Sequence, residues 1–194
     1  FKSTPARLKF LKTDRAEGIS ILEVVKKLAL SHPEISFRMY EIKDSGNPRE
    51  ILRLEKSAGS NGLSKRIQEV LKNSFMDNSH QVDYENESVK VTGYIGSPTF
   101  ISGKSSGCYF FVNGRFVRDR SLLSFIRLAY GDLLEKSGFP SAILFLSVPS
   151  EEIDVNVHPS KMEIKFKKLD LIRTCIKTAV RKSLNIERFN ARSH

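Results

Sequence analysis

The sequence predicts a mixed α/β (α+β) fold, with helices packed on a sheet, from three observations. Apolar spacing switches repeatedly between a helical period and a period of two. An Asn-Gly dipeptide at 113–114 sits between two apolar runs, the strongest short hairpin signal. Residues 142–148 are almost continuously apolar, as suits a central strand covered on both faces.

Taken in order, the first helix is predicted at 4–11, because Thr4 at the N-cap and Pro5 at the first helical position are favoured starts. Asp14-Arg15-Ala16-Glu17 has the form of a capping box, with Asp in the Ser/Thr role. Ile21, Val24, Val25, Leu28 and Ala29 then recur at helical spacing, and Ser31-His32-Pro33 ends that helix. Ile35, Phe37 and Met39 alternate with Ser36, Arg38 and Tyr40 as a half-buried strand. Asp44-Ser45-Gly46-Asn47 turns the chain into a return strand at 51–54. Leu63, Ile67, Val70, Leu71 and Phe75 mark one further helix, followed by strands around 81–84 and 89–95. The Gly/Ser-rich stretch 96–107 reads as a mobile loop.

Beyond it lie the hairpin around Asn113-Gly114 and a helix capped by Asp119, with Leu122, Phe125, Ile126, Ala129 and Leu133 facing inward. After the central strand, Ile153, Val155 and Val157 alternate with Asp154, Asn156 and His158, a loop holds Pro159-Ser160-Lys161, and Met162, Ile164 and Phe166 resume the alternation. A final helix carries Leu169, Ile172, Ile176, Ala179, Val180 and Leu184 on one face, and no internal repeat is visible.

With 194 residues, 40% hydrophobic and 28% charged, the chain suits one ordinary domain, or one domain plus a fragment of another. Seven prolines and eleven glycines are too few for a disordered or collagen-like chain. No apolar run approaches the roughly 18 residues that span a bilayer, which excludes a membrane-spanning helix. The opening Phe1-Lys2-Ser3-Thr4-Pro5-Ala6-Arg7 has no initiator Met and no signal-peptide pattern, so the chain reads as an excised fragment. Cys108 and Cys175 sit in apolar segments and read as buried, reduced thiols. His32, His80, His158 and His194 make no short Cys/His spacing that suggests structural zinc. The net charge of +10 points to an anionic partner, nucleic acid or phosphate. Trp is absent and the phenylalanines sit where a core needs them, so no base-stacking platform stands out.

Two constellations carry chemistry. Lys161 sits in a loop between two alternating strands, where a lysine is either solvated or a compact point charge for a phosphate. Arg115, Arg118 and Arg120 cluster after the hairpin, with Arg127 further along the helix. Seven residues at about 100° each return nearly to the same direction, so Arg120 and Arg127 share a face opposite the apolar stripe. A solvated face with ion pairs to Asp119 or Asp132, and contact with a phosphate backbone, both fit that pattern. Lys9, Lys12, Arg15, Lys65, Arg66, Lys72, Arg173, Lys177 and Arg181 enlarge the positive field without defining a site. Such a field suffices for non-specific duplex binding that falls steeply with salt. No paired carboxylates, Ser/His/Asp set or glycine-rich phosphate loop is present, and Asp154, Asn156 and His158 read as structural.

Three segments together resemble one family: Thr4-Pro5-Ala6-Arg7-Leu8-Lys9-Phe10-Leu11, Phe111-Val112-Asn113-Gly114-Arg115-Phe116-Val117-Arg118-Asp119-Arg120, and 154–166 with Val155-Asn156-Val157-His158-Pro159-Ser160-Lys161. They are similar to the MutL family of DNA mismatch-repair proteins in its bacterial form, apart from Ser3, where the family usually has Asn. The resemblance implies the second half of an N-terminal ATPase fragment. Residues 1–31 would be the helical remnant of a GHKL-type ATP-binding domain, and 32–194 a transducer domain of ribosomal protein S5 domain 2-like fold. The water-activating Glu, the Mg²⁺-ligating Asn and the glycine-rich lid of the family lie upstream of this chain. The transducer's lysine for the ATP γ-phosphate matches Lys161. The DNA-binding arginine is best matched by Arg120, with Arg118 and Arg115 as helpers; Arg127, on the same helix face, joins them by its spacing.

The implied function is DNA mismatch repair, with ATP and Mg²⁺ bound mainly by the missing domain and no ATP hydrolysis by this chain alone. The implied partners are DNA, a second copy in an intact homodimer, the mismatch-recognition protein MutS and a downstream nuclease or helicase. The implied location is the bacterial cytoplasm, at the nucleoid, with no membrane. The family's C-terminal dimerisation domain, which holds an endonuclease metal motif in some members, is not in this sequence. Two alternatives are the transducer of a type II topoisomerase B subunit, which the Val155–Lys161 text disfavours, and a freestanding S5-like module preferring structured RNA.

Overall fold

The computed structural model describes residues 14–42, 46–102, 107–134, 138–154 and 164–185, and the predicted helix at 4–11 lies outside them. The chain divides into two compact units, 1–70 and 71–194. The boundary expected between residues 31 and 32 falls inside the first unit.

The first unit holds helix α1 (Asp14–Ser31), the antiparallel hairpin β1 (Phe37–Ile42) and β2 (Pro48–Leu54), and helix α2 (Gly62–Leu71) up to its last residue. Phe37 and Met39 are half-buried and alternate with exposed Arg38 and Tyr40, as the period of two requires. Ile35, expected in the same stripe, is exposed just ahead of the strand. In α1, Ala29 and Leu30 are buried, while Ile21, Val24 and Leu28 of the apolar stripe are about half exposed. Periodicity identifies an apolar helix face; it carries no information about what stands opposite.

Arg66 on α2 is fully buried and therefore adds nothing to a surface field, contrary to its expected place among the surrounding cations. Its guanidinium donates to five carbonyl oxygens, those of Ala29 and Glu55 at 2.8 Å, Ile35 at 2.8 Å, Pro33 at 3.1 Å and His32 at 3.3 Å. Its Nε faces the Glu69 carboxylate at 3.5 Å. The planar fork thus satisfies the open carbonyls at the end of α1 and the segment leading into β1, joining them to the end of β2. The predicted single helix through Phe75 is broken at Lys72, whose φ of 70° interrupts the ladder before a short α3 (Asn73–Asp77).

The second unit is built on a five-stranded mixed sheet of β3 (Ser79–Glu85), β4 (Lys90–Gly96), β6 (Cys108–Val112), β7 (Arg115–Val117) and β9 (Ala142–Ser147), in the order β3-β4-β9-β6-β7. All neighbours are antiparallel except β6 and β9. Two helices, α4 (Arg120–Tyr130) and α5 (Leu169–Ser183), pack against each other and against the sheet. Val91, Ile95, Phe110, Val112, Ala142, Leu144 and Leu146 from the sheet share one core with Leu122, Phe125, Ile126 and Ala129 of α4 and Ile172, Ile176, Ala179 and Val180 of α5. Each fully buried Val, Leu, Ile or Phe side chain of this core contributes about 1.5–3 kcal/mol. The opposite face is apolar too: Tyr109, Phe111 and Ile143 are buried, and Phe111 stacks on Phe145 at 4.8 Å. The central position read for 142–148 therefore holds. Gly93 has φ 131°, and a Cβ there would lie 2.0 Å from the Ile143 carbonyl oxygen, so β4 reaches β9 only with glycine at that point.

Three expectations are corrected. The stretch 96–107 holds a strand, β5 (Ile101–Ser102), which pairs with β8 (Phe139–Pro140) in a separate ribbon. Leu133 is exposed because α4 stops at Tyr130, where Gly131 takes φ 56°. Leu169 is exposed at the first position of α5. Both cysteines are free thiols; burial pushes Cys108, which donates to the Pro140 carbonyl, up to about 12, and raises Cys175 against an opposing hydrogen bond from Asn86.

Candidate nucleic-acid interface

The basic cluster is positioned by a turn, a cap and an amide clamp. Val112 pairs with Arg115 across a two-residue loop, and Asn113 and Gly114 have φ of 49° and 78°, as a type I′ turn demands. The Asn113 side chain then acts like a peptide group: its Nδ2 donates to the Val148 carbonyl at 2.8 Å and its Oδ1 accepts from the Val148 amide at 2.9 Å. Its own backbone amide donates to Leu146 at 2.9 Å. The clamp continues the β6–β9 ladder by one step and ties the arginine hairpin to the end of β9. Asn113 was legible in sequence as a turn residue only; the clamp partner lies thirty-five positions away.

Asp119 is the N-cap of α4, in extended conformation, and accepts from the amides of Ser121 at 2.7 Å and Leu122 at 3.0 Å. Its carboxylate is thereby engaged with the helix start. Arg115, Arg118 and Arg120 are exposed and make no ion pair among the described residues. Of the two readings left open for this face, ion pairing to Asp119 or Asp132 is thus not what these three arginines do there. Arg127 differs: it is half-buried, with its guanidinium over the Phe139 ring at 4.7 Å from the centroid. Phe139 was not singled out in sequence, because nothing local links it to Arg127.

Lys161 lies outside the described residues, as do His158 and Asn156. The segment that carries it leaves and re-enters through two short paired strands, β10 (Ile153–Asp154) and β11 (Lys165–Phe166), with Ile153 opposite Phe166 and Asp154 opposite Lys165. Among the described residues, no group of three or more His, Cys, Asp or Glu side chains is placed to hold a metal ion. Among them, no helix is long and apolar enough to cross a membrane.

Residues 67–185 match the family model described as DNA mismatch repair protein, C-terminal domain. Over 95% of the chain, 44% of residues are identical to the DNA mismatch repair protein MutL of Agrobacterium fabrum, and 40% to that of Phenylobacterium zucineum. The chain belongs to the MutL family of DNA mismatch-repair proteins. It spans 29% of the length of each of these two MutL relatives. Among solved structures, the N-terminal domain of a DNA repair protein superposes with a TM-score of 0.78 at 25% identity, covering 97% of this chain and 60% of the other. The Aquifex aeolicus MutL ATPase domain complexed with ADP shares the fold with a TM-score of 0.56 at 24% identity, over 90% of this chain and 53% of that one. MutL membership decides against the topoisomerase alternative, and the mixed sheet with helices packed on it is the fold class expected.

Proposed function

We propose that this chain is the transducer portion of a MutL-type mismatch-repair ATPase, which binds DNA without sequence preference and supplies one lysine to ATP. The observation that carries the DNA reading is the exposed cluster Arg115, Arg118 and Arg120, held by the Asn113 clamp and the Asp119 cap and lacking acidic partners among the described residues. Guanidiniums so fixed meet phosphate oxygens at low ordering cost, since the turn and helix start are already built. Arg127, stacked on Phe139, extends the surface along α4.

In this reading 1–31 is the remnant of the ATP-binding domain and 32–194 the transducer. ATP and Mg²⁺ belong to the intact protein. In the intact protein both would be bound mainly by the ATP-binding domain. The chemistry available here is that of the Lys161 ammonium, a compact charge suited to a γ-phosphate oxygen, on a segment whose end strands are paired. Hydrolysis then requires the missing domain, and the homodimer, MutS, the downstream nuclease or helicase and a cytoplasmic, nucleoid-bound location belong to the intact protein under the same proposal.

The test is binding to a random-sequence duplex across a salt series, beside Arg120→Glu and a structured RNA competitor. A steep salt slope, about tenfold or greater weakening on reversal, and no preference for RNA are expected. Unchanged binding after reversal would overturn the DNA assignment, and a strong RNA preference would favour a freestanding RNA-binding module. In the intact protein, Lys161→Ala should lower ATP turnover by about a hundredfold; full turnover would remove the lysine from the ATP site.

A further inference from the structure

The outer face of α5 carries cations that neither the turn nor the cap explains. Arg173, Lys177 and Arg181 recur at intervals of four, so they drift by only about 40° per step and form one stripe, with Thr174 and Thr178 beside it. The opposite side of the helix is the buried set Ile172, Cys175, Ile176, Ala179 and Val180, which directs the stripe away from the sheet. Arg173 pairs with Asp170 at 2.8 Å, and Lys182 lies over the Tyr84 ring at 5.1 Å. Lys177 is exposed and Arg181 partly exposed, and neither forms an ion pair among the described residues. Asp170, in the first turn, is the one acidic residue of the helix.

Because α4 and α5 pack side by side on one sheet face and share one core, their solvent sides form one two-helix layer. Arg120 and Arg127 belong to α4 and the cation stripe to α5 of that layer. Acids of the neighbouring strand are turned away: Val82 and Tyr84 of β3 belong to the core side, so Gln81, Asp83 and Glu85 alternate to the other face.

We propose that Lys177 and Arg181 of α5 form a second contact surface for the sugar-phosphate backbone of duplex DNA, continuing the one at the start of α4. This rests on the DNA reading above. From Arg173 to Arg181 the helix rises about 12 Å, and phosphates follow one another every 3.4 Å or so along each strand, so the stripe spans about three to four of them. Regularly spaced cations and hydroxyls along one helix face suit contact with phosphate oxygens, which carries no sequence information.

The test compares four chains on one 30-bp random-sequence duplex over a salt series: the unaltered chain, Arg120→Glu, the double variant Lys177→Ala/Arg181→Ala, and all three changes together. The double variant should weaken binding about tenfold per lost contact near 0.1 M salt and flatten the log–log salt slope by about two, to the same degree on unrelated sequences. Protection of Lys177 from amine-reactive labelling by the duplex, read on the unaltered chain, gives the same answer without any substitution. Absence of binding by the unaltered chain, or indifference to Arg120→Glu, sinks the DNA reading itself. If Arg120→Glu is damaging while the double variant keeps the original slope and Lys177 labels equally with and without duplex, the α5 surface is wrong and the α4 surface stands.

Discussion

Two hairpins of this molecule carry arginines to the surface, with opposite electrostatic outcomes. In β1–β2, Arg38 and Arg53 share the Glu55 carboxylate at 3.3 and 2.8 Å, and Arg49 meets Glu41 at 3.7 Å. The Arg53 guanidinium beside it holds the Glu55 carboxyl below its ordinary value, and Glu55 in turn raises Arg53. In β6–β7 and the start of α4, Arg115, Arg118 and Arg120 have no such partners among the described residues, because the adjacent acid, Asp119, is engaged with helix amides. The contrast shows that a count of cations overstates a binding field: an arginine contributes only where local structure withholds a counter-charge. Arg66 shows a third outcome, since its charge is enclosed by carbonyl oxygens.

The contrast can be broken most forcefully at Arg66. Replacing it with Ala removes a donor from five carbonyls, of which those of His32 and Pro33 keep the backbone amides of Ile35 and Ser57, and should destabilise the first unit by about 3–5 kcal/mol; Arg66→Lys should recover only part, because an ammonium cannot reproduce the fork. Denaturant unfolding and amide exchange at the end of α1 check this, and duplex affinity, measured where the variant is folded, should change less than twofold. Next in size is Asn113. Asn113→Ala loses two hydrogen bonds and puts at φ 49° a residue that tolerates the left-handed region less well than Asn, for about 2–3 kcal/mol in all, whereas Asn113→Gly should cost about 1 kcal/mol less. Equal losses for the two variants would show that the turn conformation is not part of the cost. The smallest effect belongs to Asp119→Ala, about 1 kcal/mol of stability from the lost cap. Since Asp119 neutralises none of the described arginines, duplex affinity should hold or rise; a clear fall would show that the cap is needed to present Arg120.

Much of this was legible in sequence, and the misses share a cause. The Asn-Gly turn, the Asp119 cap, the inward set Leu122, Phe125, Ile126 and Ala129, and the central strand are local signals, read from residues within one or two turns of each other. The MutL motifs located the basic cluster. What escaped was non-local: the Asn113–Val148 clamp, the Arg127–Phe139 stack, the β5–β8 ribbon and the carbonyl cage around Arg66 each join residues distant in the chain. Leu133 was misread for a related reason, because periodicity shows an apolar face without showing where a helix stops.

Under the DNA reading proposed above, location, and not net charge, makes an arginine part of the binding surface. Arg38→Glu and Arg120→Glu change the chain's charge equally, so the decisive measurement is the salt dependence of duplex binding for these two variants side by side. Arg120→Glu should weaken binding by about tenfold or more and flatten the slope by about one, while Arg38→Glu leaves both near those of the unaltered chain. Equal losses from the two reversals would contradict it, reducing the interface to an undirected positive field.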